Sequence, residues 1–150
     1  MKKFKSDIEI ARGCKLKPIS KILKKSGAKQ ILGMDKKQSA ILKGIDSARR
    51  IVDKNGIFSA DVVLVPLEDG DRTIALKKAK KKVITFDLNP LSRTAQTADV
   101  TIVDNVTRSM KLLVSESKKS GRKVTFDNKK NLKSSILEIR KNLERRAKNA

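Results

Sequence analysis

The amino-acid sequence predicts an α/β domain in which a parallel sheet is flanked by helices and followed by an amphipathic C-terminal helix. Three observations carry that expectation. Residues 62–65, Val-Val-Leu-Val, form a continuous apolar run that ends at Pro66, the pattern of a strand covered on both faces. Residues 82–87, Lys-Val-Ile-Thr-Phe-Asp, and residues 100–103 repeat the pattern, with a helical stretch after the first run and a short connection after the second. Strands alternating with helices imply right-handed crossovers and therefore a parallel sheet. Finally, residues 131–147 carry Leu132, Ile136, Ile139 and Leu143 at intervals of four, three and four, a single apolar stripe that fits either a core or a subunit interface.

Taken in chain order, residues 1–17 are basic and show no clear periodicity. Residues 18–26 place Ile19, Ile22 and Leu23 at helical spacing, with Pro18 suited to the first turn and Gly27 to the C-terminal cap. Ile31 with Leu32, and residues 39–42, are apolar runs short enough for strands. The run at 62–65 reads as a central parallel strand. Residues 66–70 break it, and Asp71-Arg72-Thr73 opens a helix through residue 80 with Ile74, Ala75 and Ala79 facing a core. The strand at 82–87 is stopped by Asn89-Pro90. Residues 107–119 read as a helix ended by Ser120-Gly121, and Val124-Thr125-Phe126 as a short strand. With 150 residues and no internal repeat, one domain is expected, with residues 61–107 as its binding core.

Composition narrows the chemistry. A single cysteine, Cys14, excludes an internal disulfide, and without histidine a structural zinc site would need carboxylates almost alone. The absence of histidine also removes the side chain titrating nearest neutrality, so positioned charge must do the work. The first thirty residues hold no apolar run of signal-peptide or membrane-span length, and a cytoplasmic location without membrane contact is expected. The net charge of +21 lies in the flanks: residues 38–107 carry 11 basic and 9 acidic side chains, whereas residues 108–150 carry 14 and 4. Lysine outnumbers arginine 27 to 10, whereas bidentate reading of phosphates or guanine edges favours arginine. With no Trp or Tyr for base stacking, nucleic acid is not the expected partner. Solvated lysine-rich helix faces explain the excess, with attraction for polyanions as the alternative.

Three loops follow the predicted strands: residues 67–73, 87–94 and 104–108. Each combines a carboxylate or amide with an arginine. Taken singly, each is explained by capping and turns, with Asp71 and Thr107 as N-caps, Gly70 and Asn89 as turn residues, and surface arginines paired with nearby acids. Taken together, they suggest one anion or nucleotide pocket beyond the carboxyl ends of the strands. Neither the G-x-G-x-x-G nor the P-loop pattern is present.

Residues 65–73 (Val-Pro-Leu-Glu-Asp-Gly-Asp-Arg-Thr), 87–95 (Asp-Leu-Asn-Pro-Leu-Ser-Arg-Thr-Ala) and 101–105 (Thr-Ile-Val-Asp-Asn) together resemble archaeal phosphopantothenate synthetase, with the blocks in that family's order and spacing. The resemblance implies a homodimeric, Rossmann-like, ATP-dependent ligase of coenzyme A biosynthesis. Such an enzyme joins 4-phosphopantoate to β-alanine and releases AMP and diphosphate. It further implies that ATP is held at Asp87, Leu88 and Asn89, then Arg93 and Thr94, then Asn105 and Val106. Family members carry a largely helical N-terminal region with further arginines that residues 1–17 do not match, so the expectation is an N-terminally truncated form resembling the C-terminal part.

The chemistry of the first loop suggests substrate-phosphate or magnesium handling by Glu68, Asp69, Asp71 and Arg72. Carboxylates are the ligands a hard cation prefers, and cations such as Arg72 and Arg93 stabilise charge building on phosphoryl oxygens. Asp87, at a strand end, suits hydrogen bonds from a ribose. A non-catalytic nucleotide-binding subunit is the alternative, with a basic nucleic-acid-binding protein behind it.

Overall fold

The computed structural model describes residues 7–13, 17–34, 39–119, 121 and 125–149. The chain divides into two compact units, Met1–Met34 and Asp35–Ala150.

The first unit holds helices α1 (Asp7–Gly13), within a segment whose sequence shows no periodicity, and α2 (Ile19–Lys25). Helix α2 ends as its sequence demands. Gly27 adopts φ +94° and donates its N-H to the Lys24 carbonyl, while Ala28 N-H reaches Leu23 O at 3.0 Å. Those two bonds satisfy the last carbonyls of the helix, and the positive φ is what glycine alone supplies without strain. Ile31 and Leu32, read as a brief strand, are irregular and in a turn respectively, with no strand partner among the described residues.

In the second unit, β1 (Ser39–Ile41) and β2 (Ile51–Asp53) form an antiparallel pair, joined by a segment ending in a 3-10 turn, Ala48–Arg50. A wide helical turn, Lys54–Phe58, leads to β3 (Val62–Val65). Then come α3 (Gly70–Lys78), β4 (Lys82–Phe86), α4 (Arg93–Thr97), β5 (Val100–Ile102), α5 (Val106–Ser117) and α6 (Asn128–Ala147). Strands β3, β4 and β5 pair in parallel in that order. The α/β class and the parallel sheet are therefore as expected.

One face of the sheet is buried throughout, and the other is open at β3 although Phe86 of β4 is buried there. Register aligns Val63 with Val83 and Val65 with Thr85, then Thr85 with Thr101, so these side chains share a face. All are buried, and Val63, Val65 and Val83 join Ala75, Leu76 and Ala98 in a core that also takes in Leu42, Ile45 and Val52. On the other face Val62 is 54% and Leu64 39% exposed. The strand read as central is thus an edge strand, and β4 is the central one. An apolar run records side chains that avoid water, not what covers them. Thr125 and Phe126 are irregular, and Val124 of that expected strand lies outside the described residues.

Two polar devices hold the elements in register. Asp99, just before β5, accepts from Lys77 Nζ at 2.6 Å and from the Val83 N-H at 2.8 Å, tying α3 to the entrance of β4. Burial works to raise its pKa, but the Lys77 hydrogen bond and charge, the Val83 N-H and Lys82 together outweigh that, and it lies below 3.8. The carboxylate therefore contributes stability above pH 4 that declines as pH falls through the lowered folded value. Asp99→Asn is expected to cost about 1–2 kcal/mol at pH 7 and to flatten stability between pH 5 and about 3, checked by urea unfolding across that range.

The second device is at the start of α6, which begins at Asn128, three residues before the apolar stripe suggested. The Asn128 side chain donates to Ala95 O and Ala98 O, both at 2.9 Å, and accepts the Thr101 N-H at 2.9 Å. Asn131 donates to Thr101 O at 2.8 Å. The outward backbone groups of edge strand β5 are thereby satisfied by a helix. Further along α6, Leu132 is buried while Ile136, Ile139 and Leu143 are exposed.

Candidate nucleotide-binding site

The three expected loops all emerge at the carboxyl ends of β3, β4 and β5, and two of them are bonded to each other. In the first, the cap of α3 is Asp69 and not Asp71: its Oδ1 accepts the Arg72 N-H at 3.2 Å. The choice between two acids two residues apart is made outside the loop. Asp69's own N-H donates to Thr94 Oγ1 at 2.9 Å, and its second carboxylate oxygen accepts from the Arg49 guanidinium. Gly70, the first helical residue, lies against Arg93, where any Cβ would meet Arg93 Cβ at 3.0 Å. Arg93 in turn pairs with Asp71 at 3.0 Å.

Burial is the largest single influence on Asp69 and raises its pKa. The Arg49 hydrogen bond, the Arg72 N-H and the charges of both arginines together overcome it and hold the carboxyl below its ordinary range. Asp69 is thus an ionised cap at the centre of an arginine cluster. Its two oxygens are taken by Arg49 and Arg72, so the Asp69–Asp71 pair does not fit the magnesium seat that its composition suggests. Among the described residues, no group of three or more potential ligands converges on a metal position.

Arg72 is half-buried, donating to Arg49 O at 3.0 Å while its Nε has no acceptor within hydrogen-bond range among the described residues. Arg49 is a participant the sequence reading missed. It lies 20 residues upstream of Asp69, outside any strand-end loop, and the only local signal is Ser47, which caps the turn carrying it.

The second loop is organised by Asp87. This buried carboxylate accepts the Asn89 N-H at 2.9 Å and the Ser92 hydroxyl, and Ser92 Oγ then accepts the Ala95 N-H at 3.0 Å as the cap of α4. Asn89 Oδ1 accepts the Leu91 N-H at 2.9 Å. Asp87 and Asn89 therefore fix the loop's path, and Thr94 is fully buried with its hydroxyl engaged by Asp69. Arg93 and Leu88 are left to face outward, Leu88 at 68% exposure.

In the third loop Asn105, not Thr107, caps α5 through the Thr107 N-H at 2.9 Å. Asp104 accepts the Asn105 N-H at 2.7 Å and pairs with Arg108. The Arg108 hydrogen bond is the main reason Asp104's pKa is lowered and Arg108's raised.

A pocket of 290 Å³ opens where the loops meet, walled by Leu67, Phe86, Leu88 and Val106, with Asp87 and Asn105 at its polar edge. An apolar wall of which Leu67 and Leu88 are exposed, with a helix-cap amide beside it, suits a flat heterocycle and its sugar. Glu68, Asp87 and Asp104 around it disfavour a polyphosphate there, which suits the arginines beside Asp69 and Asp71. Asp87, Leu88, Asn105 and Val106 thus share the pocket, whereas Arg93 lies at the cluster and Thr94 is internal.

The chain matches the phosphopantothenate/pantothenate synthetase family over residues 10–142. It is 47% identical over 131 residues to a 4-phosphopantoate–beta-alanine ligase of Methanosarcina mazei, an alignment covering 81% of this chain and 51% of that protein. A protein of the same name from Thermococcus kodakarensis is 47% identical over 127 residues, 79% of this chain and 48% of its own, and one from Thermococcus onnurineus is 50% identical over 113 residues, 69% and 43%. The chain spans about half the length of the curated relatives it matches. With the match extending across both units, the chain belongs to the phosphopantothenate/pantothenate synthetase family.

Proposed function

We propose that this chain forms the nucleotide-binding part of an ATP-dependent ligase that joins 4-phosphopantoate to β-alanine, yielding 4′-phosphopantothenate, AMP and diphosphate. The observation that supports the reading is the pocket that Asp87, Leu88, Asn105 and Val106 line at the strand ends in a chain of this family, with Arg93 paired to Asp71 of the first loop. The base and ribose enter the pocket against Leu67, Leu88 and Val106. The phosphates lie toward Arg93, with Arg72 and Arg49 behind it. Asp71, with one oxygen free of Arg93, and Glu68, at the pocket, are the acids of the first loop left to approach a phosphate-bound magnesium ion.

In solution the reading predicts AMP formation that requires ATP, 4-phosphopantoate and β-alanine together. ATP-dependent stabilisation without AMP would support a second reading, a nucleotide-binding subunit that does not turn over. Neither stabilisation nor AMP would refute both. The exposed Ile136, Ile139 and Leu143 of α6 support self-association as a homodimer, to be read from sedimentation equilibrium. No helix among the described residues is long and apolar enough to cross a membrane, which is compatible with a cytoplasmic enzyme.

A further inference from the structure

A pocket of 530 Å³ opens at the end of helix α3 away from the three loops. The helix starts at Gly70, against Arg93, and runs back to the entrance of β4, so its last turn belongs to the amino end of the parallel sheet. Lys80, with φ 59°, stops it there, and the Lys81 N-H donates to Leu76 O at 3.0 Å. Lys81 Nζ then reaches Phe58 O at 2.6 Å and holds the turn that precedes β3. On the remaining side the Leu42 N-H donates to Arg50 O at 2.8 Å, and the chain turns at Gly44 with φ +90°.

These three segments give the pocket two kinds of surface. Leu42, which is buried, Ala79 and the exposed Ile41 and Phe58 are apolar, and the exposed Lys43 and Lys78 are cationic. Asp99 takes Lys77 and Lys82, whereas neither Lys43 nor Lys78 has an ion pair among the described residues, and no acid is among the pocket's lining residues. A purely apolar ligand leaves both ammonium groups unused, and a small hydrophilic anion leaves the apolar surface wet. A second copy of a chain with net charge +21 sets cation against cation. We infer that this pocket binds a small amphiphilic anion, an aliphatic chain ending in a carboxylate or a phosphate monoester. The head lies between Lys43 and Lys78, whose compact charges suit either group, and the chain lies over Ile41, Leu42 and Phe58. The volume is that of a small-molecule site. The other apolar pocket with lysines, between Leu91 and α6, includes Ile136 of the stripe ascribed to self-association. None of the six lining residues named belongs to the candidate nucleotide site, so the assignment is independent of the ligase reading.

The test is a ¹⁵N-¹H titration of the full chain with octanoate and octyl phosphate below micelle formation, with octanol, acetate and inorganic phosphate as controls. Octanoate or octyl phosphate is expected to move the amide resonances of residues 41–44, 58, 78 and 79, and the tighter of the two identifies the head group. Octanol, acetate and inorganic phosphate are expected to bind at least roughly fivefold more weakly, the scale of two exposed charge contacts. The double variant Lys43→Gln/Lys78→Gln is expected to weaken the anionic amphiphiles by a similar factor, with octanol and the melting temperature unchanged. Octanol matching octanoate and octyl phosphate would overturn the inference, as would undiminished affinity in the double variant. Shifts confined to residues 129–137 would move the ligand to α6, and displacement by ATP would move it to the nucleotide pocket; either result would also overturn it.

Discussion

Arg93→Ala is expected to weaken ATP binding by roughly tenfold to a hundredfold while leaving the melting temperature nearly unchanged. The guanidinium is exposed and its one ion-pair partner among the described residues is Asp71, itself exposed, at 3.0 Å. Solvent-exposed pairs of this kind contribute about 0–1 kcal/mol to folding. Hydrogen bonds to a charged group contribute about 1.5–3 kcal/mol, which converts to the stated loss of affinity. Arg93→Lys retains the charge without the fork of donors and should fall between the two. Calorimetric titration with ATP alongside thermal unfolding separates the outcomes: equal affinities for all three proteins would remove Arg93 from the site, and a large fall in melting temperature would make it structural.

Asn128→Ala is expected to destabilise the chain by about 2–4 kcal/mol, the largest effect of any single polar substitution proposed. Its amide makes bonds at 2.9 Å to Ala95 O, Ala98 O and the Thr101 N-H, and so joins α6, the end of α4 and edge strand β5. Each such bond contributes about 1 kcal/mol, and leaving partly buried partners unsatisfied adds to the cost. Asn128→Asp, which keeps the acceptor for Thr101 N-H but loses the two donors, should recover only part of the loss. Urea unfolding checks both; a cost below about 1 kcal/mol for the alanine variant would mean that water replaces the asparagine.

The contrast between these residues shows what the sequence discloses. The strand-end loops were legible because their polar sets follow apolar runs, and strand ends are where a parallel sheet leaves backbone groups for ligands. The roles within them were not. Asp69-Gly70-Asp71 offers two equivalent caps, and Thr94, 25 residues away, selects Asp69. Asn105 and Thr107 present the same ambiguity, resolved for Asn105. Arg49 was invisible because its partner Asp69 is reached through the tertiary fold. At β3 the apolar run was correctly read as a strand, but burial on both faces does not follow from hydrophobicity, and Val62 and Leu64 are open. Asp127 caps α6 from a position obscured by the lysines that follow it.

Asp99 and Asp69 add a common electrostatic signature. Both are ionised acids held against cations at the ends of β-α units, one tying helix α3 to the sheet and one holding the site's arginines. Acid weakens both ties by the same linkage, since each folded pKa lies below that of the unfolded chain. Fold and candidate site therefore share a sensitivity to pH below about 4.

The central claim is that the three loops bind a nucleotide as one site, and amide chemical-shift mapping with ATP on the ¹⁵N-labelled chain tests it most directly. Perturbations clustered at Asp87, Leu88 and Asn89, at Arg93 and Thr94, and at Asn105 and Val106, absent in Arg93→Ala at the same ATP concentration, are the predicted result. Perturbations confined to the basic face of α6, or equal shifts with inorganic triphosphate, would contradict it and reduce the interaction to attraction between a polyanion and a strongly basic chain.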